Sequence, residues 1–172
     1  MYEIYQNLVP SGSRVLELGC GYGDSLAAVK PSHGVGVDFS PAMLEIARQR
    51  HPDITFVEAD AHEFDSSETF DVIILSDLVD DLWDVECVFD KIKHYSAPTT
   101  RVIINYYSRI WGPLIAFTEH QGLSVPRLQQ NWLVQPDVEN LLYLAGFNVV
   151  RYQREILWPF IFRPLEIFAI AF

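Results

Sequence analysis

Short apolar runs alternate with amphipathic segments along most of this chain. Runs of about four to eight apolar residues, bounded by polar or turn residues, are typical of buried strands. They predict strands at residues 14–18, 34–38, 54–58, 70–75, 100–106 and 147–154. The segments between them predict helices at residues 24–30, 41–50, 83–95 and 136–146. This alternation predicts an α/β fold with an open, doubly wound and mostly parallel sheet that carries helices on both faces.

The first predicted strand ends in an acid followed by three glycines at alternate positions. These residues are Glu17, Gly19, Gly21 and Gly23. Glycine lets a backbone turn tightly and approach a ligand closely, because it has no Cβ. A helix is predicted to begin near Asp24, so its N-terminus faces the same turn. In an α/β sheet this arrangement builds a nucleotide-type site at the carboxyl end of the first strand.

The spacing of the glycines argues against a nicotinamide or flavin site. The dinucleotide fingerprint is G-x-G-x-x-G. Here the third glycine comes one position earlier, and Asp24 stands where that fingerprint has glycine. A carboxylate at this position would face a pyrophosphate, which is electrostatically unfavourable. The pattern therefore favours a cationic or zwitterionic ligand, and it disfavours a nucleotide-dependent oxidoreductase.

Two later predicted strands also end in acids. The second strand runs Val35-Gly36-Val37 into Asp38, and the third ends near Asp60. An acid about 20 residues beyond the first turn is placed to hydrogen-bond ribose hydroxyls. Asp38 is therefore predicted to bind a ribose.

Taken together, these segments resemble the class I methyltransferases that depend on S-adenosylmethionine. The pattern E-x-G-x-G-x-G at residues 17–23 resembles motif I of that family, and residues 37–47 resemble its second motif. The resemblance covers residues 11–155. It implies one domain over residues 1–172, a seven-stranded sheet in the order 3-2-1-4-5-7-6 with residues 165–172 as the reversed strand, and S-adenosyl-L-methionine as the cofactor.

The resemblance also implies roles for the residues at the strand ends. The methionine end of the cofactor is assigned to Glu17 and the glycine turn with Asp24, the ribose to Asp38, and the adenine to Asp60 with Ala61. The complete set of predicted cofactor-binding residues is Glu17, Gly19, Cys20, Gly21, Gly23, Asp24, Asp38, Phe39, Asp60, Ala61 and Ser76.

The methyl acceptor is expected beside the carboxyl ends of the central strands. Asp77 follows the fourth strand, Tyr106 leaves the fifth, and His120 lies in the long connection at about residues 109–135. These three are the predicted catalytic residues, although strand alternation alone does not decide between Tyr106 and Tyr107. A connection of this length is typical of a functional lid. We interpret it as the element that recognises the substrate.

A metal site is not expected. Some small-molecule O-methyltransferases hold Mg²⁺ with an acid after strand four and an Asp-Asn pair after strand five. This chain has Asp77 and Asn105, but Ile104 precedes the asparagine. The histidines of the chain share no spacing typical of metal ligands.

A second resemblance concerns residues 105–147, which look like methyltransferase domains encoded with glycosyltransferases in bacterial surface-polysaccharide pathways. The favoured interpretation is methyl transfer to a small-molecule or sugar-containing acceptor, with oxygen as the favoured accepting atom. The alternative is a domain without catalysis that binds S-adenosylmethionine or S-adenosylhomocysteine as a partner or regulatory module. A homodimer or a partner protein is compatible with either interpretation.

Composition and charge narrow the choice of partners. Acids outnumber bases 23 to 12, and the formal net charge is −11. Nucleic-acid binding needs clustered Lys and Arg, which this chain lacks. The apolar residues 156–172 contain Arg163 and Glu166 and are too short to span a bilayer, so a core strand or a partner interface is expected there.

The location of the protein is predicted from its N-terminus and its cysteines. The first ten residues lack the basic and apolar regions of a signal peptide. Two cysteines cannot form a disulfide framework and suggest free thiols in a reducing compartment. A cytoplasmic location is therefore expected.

Overall fold

The computed structural model describes residues 2–107, 133–155 and 166–171. The helices are α1 (Tyr2–Leu8), α2 (Asp24–Ala28), α3 (Pro41–Arg50), α4 (Val85–His94) and α5 (Gln135–Leu144). The strands are β1 (Arg14–Leu18), β2 (His33–Asp38), β3 (Thr55–Glu58), β4 (Phe70–Ser76), β5 (Ser96–Tyr107), β6 (Val149–Glu155) and β7 (Glu166–Ala171). The predicted α/β class with a parallel sheet is confirmed.

The described strands form one sheet in the order β3-β2-β1-β4-β5-β7-β6. Strands β1 to β5 pair in parallel, whereas β7 runs antiparallel to both β5 and β6. Strand β1 has β2 on one side and β4 on the other, so the strand order reverses at β1. Such a reversal opens a crevice outside the carboxyl ends of the strands, where doubly wound sheets bind their ligands.

Side chains of the central strands alternate between two apolar clusters, one on each face of the sheet. The cluster on the face of α1 and α2 contains Tyr5, Val9, Val15, Leu26, Val29, Val72, Ile74 and Ile103. The cluster beneath α4 and α5 includes Leu16, Leu18, Ile73, Leu75, Phe89, Ile92, Val102, Ile104, Val138 and Leu142. Because the side-chain period of a strand is two, Glu17, Ser76 and Asn105 belong to the face of α1 and α2.

Helix α1 was not predicted from the sequence. A helix of seven residues is too short to show a clear 3.6-residue period, and such a short helix depends on tertiary packing for its stability. Here that packing comes from the fully buried side chain of Tyr5 and from Val9 just beyond the helix. Both contact the apolar face formed by Val15 and Ile74.

In the part of the chain that the structure describes, no helix has the length and apolarity needed to cross a membrane.

Candidate cofactor-binding site

Three acidic side chains meet around the turn that follows β1. Glu17 lies one residue before the end of β1, Asp38 ends β2, and Asp77 directly follows β4. Since β1 pairs with β2 on one side and with β4 on the other, the ends of these strands are neighbours. The structure thus brings three of the sequence-predicted acids together at the crevice.

The turn itself, residues 19–23, is a tight glycine loop. The N–H groups of Gly19 and Cys20 both donate to the carbonyl oxygen of Val37, at 2.8 and 3.0 Å. Gly23 has a φ of 74°, and a Cβ there would lie 2.6 Å from the ring of Phe56. Gly21 has a φ of 52°, but among the described residues its Cβ would meet only Met43 Sδ, at 3.8 Å. The loop is therefore closed against Phe56 at Gly23 and open to a ligand at Gly21.

Glu17 is a buried acid that the fold satisfies only in part. Its side chain accepts hydrogen bonds from the backbone N–H of Leu26 and the hydroxyl of Ser25, in the first turn of α2. Burial is the main cause that raises the pKa of Glu17 to about 8, and the negative charges of Asp38 and Asp77 contribute in the same direction. Its Oε2 atom is buried and has no hydrogen-bond partner among the described residues. A cation at this edge would favour the ionised form.

Asp38 uses both carboxylate oxygens to hold the backbone around the crevice. Oδ2 accepts from the N–H of Gly21 at 2.8 Å, and Oδ1 accepts from the N–H of Ser40 at 2.9 Å. Ser40 in turn caps α3, because its hydroxyl accepts from the N–H of Met43. Each oxygen of a carboxylate can accept more than one hydrogen bond, so Asp38 retains capacity for a ligand.

Asp24 is engaged on the other side of the glycine loop. Its carboxylate lies 2.9 Å from Nε2 of His51 and 3.2 Å from Nη1 of Arg50, and the Arg50 guanidinium stacks 5.0 Å above the ring of Tyr22. These contacts join the start of α2 to the end of α3. Sequence reasoning placed Asp24 at the methionine end and did not anticipate the two basic partners.

Asp60 lies beyond β3 in a half-exposed position. Its Oδ1 accepts from the N–H of His62 at 2.8 Å and lies 2.6 Å from Nδ1 of the same histidine. The backbone hydrogen bond from His62 holds the pKa of Asp60 below its usual value, and the side-chain hydrogen bond acts in the same direction. Asp60 is therefore an ionised acceptor whose orientation is set by one neighbour.

His62 contacts Asp60 and stacks on Trp83, and sequence reasoning gave neither His62 nor Trp83 a role. The two rings stack with centroids 4.3 Å apart, and the N–H of Asp84 donates to Nε2 of His62 at 3.3 Å. This bond makes Nε2 an acceptor, which leaves the ring proton on Nδ1, toward Asp60. Trp83 is 75% exposed. The spacing Asp-Ala-His at residues 60–62 was the one signal available, since Asp side chains commonly bond the backbone two residues on.

The remaining predicted cofactor residues differ in exposure. Cys20 is buried, and burial raises the pKa of its thiol. Ala61 is half-buried, and Phe39 is 71% exposed beside Asp38. An exposed aromatic ring next to a buried acid offers an apolar surface to a ligand in the crevice.

Asp77 occupies the end of β4 in an uncommon backbone conformation, with a φ of 52°. Its Oδ1 accepts from Nδ2 of Asn105 at 2.6 Å, and its N–H donates to Oδ1 of the same side chain at 3.2 Å. Ser76 precedes it and pairs in register with Asn105 on β5. The two residues that sequence reasoning weighed as metal ligands thus bind each other.

Tyr106, the second predicted catalytic residue, is not brought to this cluster. Tyr106 is fully buried with Ile104 in the cluster beneath α4 and α5, on the opposite face from Asn105. Strand alternation separates the two, because successive side chains of β5 point to opposite faces. His120 and nearly all of the predicted lid at residues 109–135 lie outside the described residues.

Comparison with known proteins identifies the family. The sequence profile of a family described as "Methyltransferase domain" matches residues 10–142. A demethylmenaquinone methyltransferase of Clavibacter sepedonicus is 33% identical over 112 residues, which cover 61% of this chain and 45% of that protein. A trans-aconitate 2-methyltransferase of Yersinia pseudotuberculosis is 34% identical over 94 residues, which cover 52% of this chain and 36% of that protein. The chain thus spans less than half the length of these two relatives.

Solved structures share the fold over nearly the whole chain. An S-adenosylmethionine-dependent methyltransferase from Mesorhizobium loti has a TM-score of 0.78 and 18% identity, with 98% of this chain and 95% of that chain covered. A magnesium protoporphyrin IX methyltransferase from Synechocystis, solved with bound S-adenosylhomocysteine, has a TM-score of 0.71 and 20% identity, with 93% and 74% covered.

The fold is a doubly wound α/β domain, and acidic side chains surround the glycine loop at its crevice. The chain belongs to the methyltransferase-domain family, and the predicted resemblance to class I S-adenosylmethionine-dependent methyltransferases is confirmed. The cofactor of that family, S-adenosylmethionine, agrees with the predicted cofactor.

Proposed function

We propose that this chain transfers a methyl group from S-adenosylmethionine to a small-molecule or sugar-containing acceptor, with oxygen as the accepting atom. The observation that supports this best is the acidic cluster at the glycine loop. Glu17, Asp38 and Asp77 interact electrostatically, and the Glu17 carboxyl is buried with one oxygen lacking a partner among the described residues. Such a cluster is suited to a cation and unsuited to a phosphate.

The methionine end of the cofactor fits this cluster by charge. When bound, S-adenosylmethionine supplies an electrophilic methyl group on a sulfonium centre, and it also carries an ammonium group. Glu17, Asp38 and Asp77 would balance these charges, and the open face of Gly21 would let the backbone approach them. Gly19, Cys20, Gly23 and Ser76 shape the same edge, and Asp24 fixes the start of α2 beside it.

The ribose and adenine are proposed to follow the edge toward β3. The Asp38 carboxylate is held rigidly by two backbone N–H groups and retains lone pairs for ribose hydroxyls. Asp60, oriented by His62, would accept a hydrogen bond from the adenine amino group, with the N–H of Ala61 beside it. The exposed ring of Phe39 would cover the apolar face of the adenosine.

Methyl transfer from a sulfonium is an in-line displacement, so positioning supplies much of the catalysis. We assign the acceptor to the space beside Asp77, with His120 and the segment 109–135 as its cover. The relatives named above act on demethylmenaquinone and on trans-aconitate, and both names support a small-molecule acceptor here. Transfer to oxygen and a sugar-containing acceptor rest on the sequence interpretation.

A domain that binds the cofactor without catalysis is the second candidate. It rests on the sequence interpretation. The support for a partner protein is a structural neighbour from Haloferax volcanii, which was solved in complex with a methyltransferase activator, Trm112. That neighbour has a TM-score of 0.80 and 18% identity, with 98% of this chain and 87% of that chain covered. A partner protein or a homodimer is compatible with both candidates.

The test is calorimetric titration of the purified chain with S-adenosylhomocysteine, with NAD as the control ligand. We expect micromolar binding of S-adenosylhomocysteine and none of NAD. Asp38→Ala should weaken this binding at least about tenfold, because it removes a charged hydrogen-bond acceptor. The matched control is Asp53→Ala, an exposed acid in the turn after α3.

Each outcome has a definite meaning. A folded wild-type chain that does not bind S-adenosylhomocysteine contradicts the proposed function. Equal losses in Asp38→Ala and Asp53→Ala contradict the ribose assignment. If the chain binds the cofactor but turns over no acceptor in a pool of small hydroxylated molecules and sugars, the non-catalytic candidate is favoured.

A further inference from the structure

Tyr5 reaches from α1 to the carboxyl ends of two central strands. Its hydroxyl donates to Oδ1 of Asn105 at 2.5 Å and lies 3.0 Å from Oγ of Ser76. Tyr5 and Asn105 are both fully buried, although 100 residues separate them in the sequence. Tyr5 lies outside residues 10–142, which match the family profile, and sequence analysis gave it no role.

Asn105 passes this contact on to Asp77. Its Oδ1 accepts from the Tyr5 hydroxyl and from the N–H of Asp77, while its Nδ2 donates to Oδ1 of Asp77 at 2.6 Å. Both ends of the amide are therefore used, and its orientation follows from its partners. Asn105 binds both the backbone and the side chain of Asp77.

These bonds hold Asp77 in a strained conformation. Its φ of 52° is in the left-handed region, which is uncommon for a residue other than glycine. Such conformations persist where the surrounding structure over-determines them. Here the reciprocal pair with Asn105, fixed in turn by Tyr5, supplies that constraint.

The strained corner packs directly on the glycine loop. Leu78 follows Asp77, and a Cβ on Gly19 would lie only 3.0 Å from its Cδ1. The charge of Asp77 also reaches Glu17, whose pKa it helps to raise. If Asp77 moved, the Leu78 side chain would shift against Gly19, and the negative charge of Asp77 would shift relative to Glu17.

We infer that Tyr5 and Asn105 are positioning residues for the methionine end of the proposed cofactor site, where they hold Asp77 and Leu78 against the glycine loop. This inference rests on the proposed function and deepens it. On this inference, α1 contributes to the cofactor site through the Tyr5 hydroxyl, which reaches Asn105 across the apolar face of the sheet.

The test compares two ligands that differ at the methionine end. S-adenosylhomocysteine contains that end, and adenosine lacks it. Tyr5→Phe removes only the hydroxyl, and Asn105→Asp replaces the amide donor with a carboxylate that faces Asp77. Both variants should bind S-adenosylhomocysteine about tenfold more weakly while their affinity for adenosine stays within about twofold.

The matched control removes a different buried hydroxyl, that of Thr100 on β5. Thr100 Oγ1 donates to the carbonyl of Phe70 at 2.6 Å, at the opposite end of the strand from Asn105. Thr100→Val should change the affinity for neither ligand. Thermal melting of each variant shows that it is folded, and Tyr5→Phe decides the question if Asn105→Asp does not fold.

A double mutant tests whether Tyr5 acts through Asp77. Asp77→Gly removes the carboxylate and allows the left-handed backbone without strain. If Tyr5 acts through Asp77, the double variant Tyr5→Phe with Asp77→Gly binds S-adenosylhomocysteine no more weakly than Asp77→Gly alone. Losses that multiply in the double variant overturn the inference.

The failure of this inference is distinct from the failure of the proposed function. Wild-type binding that Tyr5→Phe leaves unchanged, or an equal loss for both ligands, overturns the positioning role alone. Absence of S-adenosylhomocysteine binding by the folded wild type overturns the proposed function, and the inference with it.

Discussion

The two ends of the proposed cofactor crevice both depend on carboxylates, but the fold treats them in opposite ways. At the methionine end, Glu17 is 1% exposed, and burial raises its pKa to about 8. At the adenine end, the side chain of Asp60 is 47% exposed, and hydrogen bonds from His62 lower its pKa. Burial thus favours the neutral form of Glu17, and a bound cation would favour its ionised form. Asp60 is already ionised and can accept a hydrogen bond without a bound cation.

The same difference gives the two acids opposite effects on stability. Between about pH 4.5 and 8 the folded chain holds the Glu17 proton and the unfolded chain does not, so stability falls as pH rises through that window. For Asp60 the pKa is lowered from 3.8, so its contribution is present above that pH and is lost as pH falls through the folded pKa. The two windows do not overlap, which makes the ends separable by experiment.

The largest effect is expected at Gly23, which closes the glycine loop at the methionine end. Gly23→Ala combines a left-handed backbone with a Cβ 2.6 Å from the ring of Phe56. We expect a loss of about 3 kcal/mol in the free energy of unfolding, measured by denaturant titration. Gly12→Ala is the matched control, because Gly12 has a φ of 79° and a Cβ there would meet no described residue within 4 Å.

The control separates strain from steric conflict. Gly12→Ala should lose about 1 kcal/mol, which is the backbone cost alone. A Gly23→Ala loss no larger than that of Gly12→Ala would show that Phe56 moves aside easily and that the loop is less rigid than the structure indicates.

The next effect is the pH dependence that Glu17 confers. Glu17→Gln keeps the acceptor for Leu26 and Ser25 but cannot ionise. The melting temperature of the wild type should fall relative to that of Glu17→Gln as pH rises from about 4.5 to 8, with a constant difference outside that range. Parallel melting curves across pH would refute the burial argument. Glu45→Gln, an exposed change on α3, is the control and should follow the wild type.

Ligand binding offers an independent measurement of the same residue. A cationic methionine end favours the ionised Glu17, so the wild-type affinity for S-adenosylhomocysteine should increase as pH rises toward 8. Glu17→Gln should lack this increase. Identical pH profiles for the two proteins, measured by calorimetry, would place the cation away from Glu17.

The smallest effect is expected at the adenine end. His62→Ala removes the ring that contacts Asp60 Oδ1, but the backbone N–H of residue 62 still binds the same oxygen. We therefore expect the affinity for adenosine to fall only about threefold. His94→Ala, an exposed histidine on α4, should have no effect. If the two variants behave alike in calorimetric titration, His62 does not orient Asp60 for adenine.

Most of the fold was predictable because the signals for it are local. The apolar runs located β1 to β6 within a few residues, and Ser40-Pro41 correctly marked the start of α3. The glycine spacing and the acid after each early strand likewise depend on short segments, and they led to the correct family. Helix α1 escaped because seven residues carry too little periodicity, so that its packing on the sheet decides its structure.

The candidate site was predictable as a set of positions and not as a set of contacts. Sequence reasoning placed Asp24 and Tyr106 beside the ligand. The structure joins Asp24 to Arg50 and His51, two partners that the sequence did not indicate. It buries Tyr106 on the opposite face of the sheet from Asn105. The side of a strand or turn on which a residue lies depends on register and packing. The pattern of residue types alone does not distinguish the two sides.

By itself, the sequence determined the α/β alternation, the glycine loop and the acids at the strand ends, because these follow from backbone preferences and apolar periodicity within about ten residues. Only the tertiary structure decided how each acid is held. Three features require distant segments to meet: the burial of Glu17, the stacking of His62 on Trp83, and the hydrogen bond from the Tyr5 hydroxyl to Asn105. Desolvation and hydrogen bonding then set the opposite pKa shifts of two residues that are chemically alike.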